Sequence, residues 1–245
     1  MRVLLLVTAA LWGAGAGLLL PRAAHRLSVD AGRPWSDRCP AGHAITGAFG
    51  GWLGRPRCRA GCGPYGPSTP AVALVTALAC AALAAATGPR PELAVWLLTA
   101  PVAVLLALVD LRVHRLPDVL TLPLAAGTAA LLGLASLLPG AAGSWPRSLL
   151  GALALGAGYL LLFLLNPSGM GFGDVKLALA LGLPLGWYGW PVLLTGACAG
   201  LVYGALYGVT LLLLRRADRK SAIPLGPFML GGAFTAVAAG AFAAA

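Results

Sequence analysis

Acidic residues are scarce in this chain. Only 7 of its 245 residues are Asp or Glu, and all charged residues together make up 10%. A soluble domain carries about 25% charged residues and is about 45–50% apolar, whereas here 59% is hydrophobic. That balance excludes a soluble globular enzyme and a disordered chain. Cysteine is also sparse, at five residues, which excludes a disulfide-stapled secreted module. What is abundant is long apolar sequence, so the composition implies an all-α, polytopic membrane protein. The formal charge of +10 would suggest nucleic acid on a soluble domain. On a membrane protein it records topology, because cytoplasmic loops collect Lys and Arg. No nucleic-acid partner is expected; membrane lipids are.

A spanning helix needs about 20 mostly apolar residues, with about 17 as a minimum. Eight segments are read as candidates: Val3–Leu20, Pro70–Thr87, Glu92–Val109, Asp118–Leu138, Ser148–Leu165, Val175–Trp187, Pro191–Leu214 and Leu225–Ala244. The sixth is short, and a half-buried helix is its alternative. The first resembles a signal peptide, but no small-residue cleavage site precedes Arg22, so a retained helix is expected. The expected organisation is a first transmembrane helix (1–20), a cytoplasmic loop (21–69) and a seven-helix membrane domain (70–245). Fourteen of the 17 basic residues fall in alternate connections, including Arg59, Arg219 and Lys220. This places both termini on the non-cytoplasmic side. Trp187, Tyr188 and Trp190 fall on the outer side, either as an interfacial anchor or as core packing. Gly196, Gly200, Gly204 and Gly208 recur every four residues, a spacing that lets membrane helices approach closely.

The seven acids can be taken one by one. Asp30, Asp37 and Asp218 lie in Arg-rich loops and read as solvated. Glu92 opens a span, where the helix dipole favours an anion. Asp118 follows Pro117 and reads as an N-cap. Asp110 instead closes an apolar run at the C-terminal end of a span, where the dipole disfavours it and an ionisable group is a functional candidate. Pairing with Arg112 or Arg115 is the alternative. Asp174 follows Gly171-Phe172-Gly173, whose glycines permit close approach of another chain. The two aspartates lie 64 residues apart on the same expected side of the membrane. Two carboxylates in one site can share a proton and so activate water and polarise a peptide carbonyl.

These residues resemble a known family. Gly169-Met170-Gly171-Phe172-Gly173-Asp174-Val175-Lys176-Leu177 is similar to the GxGDxKL signature of the type IV prepilin peptidases, membrane aspartic endopeptidases of the GxGD type. Asp110 through Asp118, followed by Leu120-Thr121-Leu122-Pro123, resembles the segment carrying that family's first catalytic aspartate, and maps the role onto Asp110. Ile223-Pro224-Leu225-Gly226-Pro227-Phe228 is similar to the segment before the family's last helix. The resemblance implies cleavage of a basic leader from prepilin-like (pilin, pseudopilin or Flp/Tad-type) precursors at the cytoplasmic face of a bacterial inner membrane. It implies that Asp110 and Asp174 hold the lytic water and that Gly171, Gly173 and Lys176 bind or support the substrate. No cofactor is required for proteolysis.

Many members also N-methylate the new N-terminus with S-adenosylmethionine, and their first loop carries two CxxC pairs resembling a zinc site. Here the corresponding residues are Cys39, His43, Cys58 and Cys62, each pair with three intervening residues. Three thiolates and an imidazole can form a tetrahedral zinc site; a metal-free remnant is the alternative. The first helix lacks the family's Ser-Phe-Asn core, and Ser28 stands where the family has Pro. This argues against methyl transfer, so S-adenosylmethionine is not expected as a cofactor. Two other functions are open: a transporter or proton channel using Asp110 and Asp174 as relay acids, and an inactive pilus-assembly factor.

Overall fold

A computed structural model describes residues 1–30, 32–58, 61–167, 169–216 and 223–244. Arg59, Asp218, Arg219 and Lys220, used in the charge reading above, lie outside the described residues. The described part is helical: α1 (Arg2–Leu27), a four-residue turn α2 (Ala48–Gly51), α3 (Thr69–Thr87), α4 (Glu92–Val113), α5 (Asp118–Ser136), α6 (Trp145–Leu165), α7 (Phe172–Tyr188), α8 (Trp190–Leu213) and α9 (Gly226–Ala243). β structure among the described residues is limited to two isolated bridges in the first loop.

Seven of these helices are long and apolar enough to cross a membrane. The remaining long helix, α7, has 17 residues and is the expected sixth span. Its two ends belong to opposite ends of the bundle. Its first turn carries Asp174, which borders a cavity reached by Asp30, by the α4–α5 link and by the α8–α9 link. Its last residue, Tyr188, joins a polar cluster at the other end. There Arg90 bonds the Ala241 carbonyl and pairs with Glu92 at 3.6 Å, while the Ala142 N–H and the Tyr188 hydroxyl approach Glu92 Oε1. At about 1.5 Å per residue, 17 residues give about 26 Å, close to the hydrocarbon thickness of about 30 Å. Eleven of the 17 are buried, which is why α7 can be short: its neighbours, not lipid, surround it.

Glycine sets how closely the helices pack. A Cβ on Gly13 of α1 would lie 2.5 Å from the Thr76 carbonyl oxygen of α3. One on Gly151 of α6 would lie 2.6 Å from the Gly182 carbonyl oxygen of α7. One on Gly232 of α9 would lie 2.6 Å from the Gly196 carbonyl oxygen of α8. Backbone therefore meets backbone at three interfaces, the close approach that small residues permit in membranes. The α8 glycine row is used within the chain, with Gly196 and Gly200 against α9.

Three expectations change. The first helix continues to Leu27, and its last two turns hold the loop: Arg22 donates to the carbonyls of Thr46, Leu53 and Arg55, and Arg26 to that of Gly50. Glu92 is not a simple dipole partner at a helix start but is fully buried in the polar cluster. Of the three outer aromatics, Trp187 is core, Tyr188 bonds Trp96, and only Trp190 is exposed. Burial of Trp187 follows from Gly143, whose missing side chain leaves room for the indole.

Candidate functional site

Asp110 sits in the last turn of α4 and is 3% exposed. The helix ends where His114 adopts a left-handed conformation at φ 48°, its N–H donating to the Asp110 carbonyl at 2.8 Å. Asp174 sits at the third position of α7 and is 7% exposed. Both border one cavity of about 1080 Å³. Each carboxylate is fixed in the same way. The Gly226 N–H, at the start of α9, donates to Asp110 Oδ2 at 2.9 Å, and the Gly171 N–H, at the start of α7, donates to Asp174 Oδ2 at 2.9 Å. Helix N-termini present unpaired N–H groups and a partial positive charge, so they hold anions. The second oxygen, Oδ1, of each aspartate has no hydrogen-bond partner among the described residues.

The expected alternative for Asp110, an ion pair with Arg112 or Arg115, is not formed among the described residues. Arg115 donates instead to the Asp30 carbonyl. Asp118 is not an N-cap: Pro117 holds that position, and both Asp118 oxygens lie 2.7 Å from Lys176 Nζ. Lys176 also lies 5.1 Å from the centre of the Phe172 ring. Gly173 packs on this chain, since a Cβ there would lie 3.0 Å from Leu116 Cβ. Gly171, at an ordinary φ of −84°, is exposed on the cavity wall.

Two site residues were not singled out by sequence reasoning. Gly226 is the sole hydrogen-bond donor to the Asp110 carboxylate among the described residues; a Cβ there would lie 2.7 Å from Oδ2. The motif around it was visible, but nothing in it showed which residue it would face. Asp30 borders the cavity as well, although it belongs to the loop after α1. Among the described residues four acids thus line this cavity, with Arg115 and Lys176 the Arg and Lys residues there.

A second constellation lies in the first loop. Two isolated bridges, Arg38 to Ala44 and Arg57 to Pro64, flank Cys39 and His43 and Cys58 and Cys62 respectively. The ligand atoms of Cys39, His43, Cys58 and Cys62 all lie within 4.8 Å of one another. Cys39 and Cys58 sulfurs are 3.7 Å apart, and His43 Nδ1 is 3.8, 3.7 and 3.2 Å from the three sulfurs. A tetrahedron with Zn–S bonds of about 2.3 Å has S···S edges of about 3.8 Å. The donor set and its spacing fit such an ion.

Residues 97–209 match the family model described as the type IV leader peptidase family. A prepilin leader peptidase/N-methyltransferase of Aeromonas hydrophila is 39% identical over 186 residues, covering 73% of this chain and 60% of that protein. One from Pseudomonas aeruginosa is 31% identical over 217 residues, covering 85% of this chain and 67% of that protein. One from Burkholderia pseudomallei is 35% identical over 187 residues, covering 73% and 57%. This chain spans about 60% of the length of the first of these relatives. No solved structure matches. The matched region contains both buried aspartates, and the chain belongs to the type IV leader peptidase family.

Proposed function

We propose that this chain is a membrane aspartic endopeptidase that removes the basic leader from prepilin-like precursors, with Asp110 and Asp174 as the catalytic pair. The observation that carries this reading is the convergence of two buried aspartates, from helices 64 residues apart in sequence, on one large cavity. Each is oriented by a single backbone N–H, which leaves Oδ1 for chemistry. In the reaction a water lies between the carboxylates, which share one proton. The ionised carboxylate takes a proton from the water as its oxygen attacks the peptide carbonyl. The protonated one gives its proton to the carbonyl oxygen, forming a neutral tetrahedral diol. Collapse breaks the C–N bond as the leaving nitrogen gains a proton from the pair. Gly171, open on the cavity wall, leaves room for the substrate backbone.

The site end of the bundle is the cytoplasmic face in this proposal, and both termini lie on the other side. The four links that meet at the cavity include those carrying most of the basic residues, in keeping with the positive-inside rule. Localisation is the bacterial inner membrane. Cys39, His43, Cys58 and Cys62 hold a structural zinc that ties the two loop segments together. The endopeptidase activity alone is carried over from the family; the altered first helix argues against methyl transfer. Relay acids of a transporter would be expected to continue across the bundle, whereas here Asp110 and Asp174 share one end and the far polar cluster is separated from them by apolar core.

The test is co-expression with prepilin-like proteins encoded in the same genome, followed by N-terminal sequencing of the product. Removal of the leader at a single bond supports the reading. Absence of processing of every such precursor, with the chain folded in the membrane, overturns it.

A further inference from the structure

Lys176 is part of the motif that carries Asp174, yet it does not pair with Asp174. Its ammonium bonds both oxygens of Asp118 at 2.7 Å, across two helices and 58 residues of sequence. Asp118 opens α5, at the end of the short link that begins beyond Asp110. Lys176 lies two residues after Asp174 in the first turns of α7. Between them Leu116 is pressed against Gly173, and its other side approaches Gly226, the residue that bonds Asp110. The link between α4 and α5, residues 114–117, is therefore a strap laid over the start of α7, in contact through Leu116 with both helix N-termini that hold the aspartates. The ion pair fastens the far end of that strap.

Stability does not explain the pair. The Lys176 side chain is 22% exposed and that of Asp118 58%, and pairs with such access to water contribute little to folding. What a two-pronged bond does fix is geometry. We propose that Asp118 and Lys176 are positioning residues, a latch that sets the placement of Asp174 relative to Asp110. The latch rests on the endopeptidase reading above. Neither residue transfers a proton in it. Among the described residues the other ionisable groups on the cavity wall are Asp30, Arg115 and His114; Arg115 is engaged by the Asp30 carbonyl, so it does not substitute for Lys176.

The test is steady-state kinetics of the full chain in membranes on a prepilin-like substrate, with Asp118→Lys, Lys176→Asp and the charge-swapped double variant. Misplacing a reacting group by about 1 Å can cost about a hundredfold in rate. Each single reversal is expected to lower kcat roughly tenfold or more with little change in KM. The swap is expected to recover most of that loss, and its pH–rate profile to coincide with that of the unaltered chain. A swap no better than the worse single variant, with thermal unfolding unchanged, overturns the latch. So does a Lys176→Gln variant that keeps maximal kcat and only moves the acidic limb of the profile, because Lys176 would then act on the charge of Asp174. Should a reversal variant fail to fold, Asp118→Asn, Lys176→Gln and their double variant give the same answer. Losses in kcat that do not add support the latch, and strictly additive losses overturn it. An Asp110→Asn variant that still cleaves would sink the endopeptidase reading itself, a result independent of the latch.

Discussion

Gly226→Ala adds one methyl group at the point where the account is most sensitive. The backbone there is not in the left-handed region, so alanine meets no conformational penalty, and the effect is purely one of space. The new Cβ would lie 2.7 Å from Asp110 Oδ2, 3.2 Å from its Cγ and 3.3 Å from Leu116 Cδ2. An ordinary carbon–oxygen contact is well beyond 3 Å, so either the carboxylate or the start of α9 must move by several tenths of an ångström. Either movement lengthens the 2.9 Å bond from the Gly226 N–H. A hydrogen bond to a charged group contributes about 1.5–3 kcal/mol. A displacement approaching 1 Å costs about a hundredfold in rate. The assay is cleavage of a prepilin-like substrate in membranes, with thermal unfolding measured on the same preparation. The expected outcome is a loss of kcat of roughly tenfold to a hundredfold with the fold retained. Gly226→Ala with kcat within about twofold of the unaltered chain would refute the reasoning, because Asp110 would not then depend on the position of this N–H.

Further outcomes follow from other parts of the molecule. Gly13→Ala drives a methyl into the Thr76 carbonyl and should lower stability by about 1–3 kcal/mol, whereas Gly15→Ala, with nothing within 4 Å, should not lower it. Arg90→Ala leaves Glu92 buried without its cation and should cost about 3–5 kcal/mol in denaturant-induced unfolding. Purified protein should contain one zinc per chain by elemental analysis, and Cys58→Ser should lose it, with the loop then cut faster by protease; a metal content of zero in the unaltered chain contradicts the zinc site.

Much of the architecture could be read from the sequence because the membrane imposes it. Long apolar runs located the seven helices that are long and apolar enough to cross a membrane, and the dipole argument marked Asp110, which the fold buries. The pairing of ends was less legible. Asp118 looked like a cap because it follows a proline at a helix start, yet Lys176, 58 residues later, takes its carboxylate. Glu92 looked bland because two of its partners, Ala142 and Tyr188, lie 50 and 96 residues further along the chain. Gly226 could not be connected with Asp110 from spacing, since 116 residues separate them. The short α7 was ambiguous because length alone does not tell whether a helix is surrounded by lipid or by protein. In each case the missing information was a contact between distant segments, which local periodicity does not encode.

The central claim is that Asp110 and Asp174 perform the chemistry together. Its most direct measurement is cleavage of a purified prepilin-like substrate by the full chain in lipid nanodiscs, comparing Asp110→Asn and Asp174→Asn with Asp37→Asn, an exposed loop acid paired with Arg38. The account predicts that both site variants abolish release of the leader while folding and substrate binding persist, and that Asp37→Asn cleaves at the normal rate. Leader release by either Asp110→Asn or Asp174→Asn at a rate near that of the unaltered chain would contradict it.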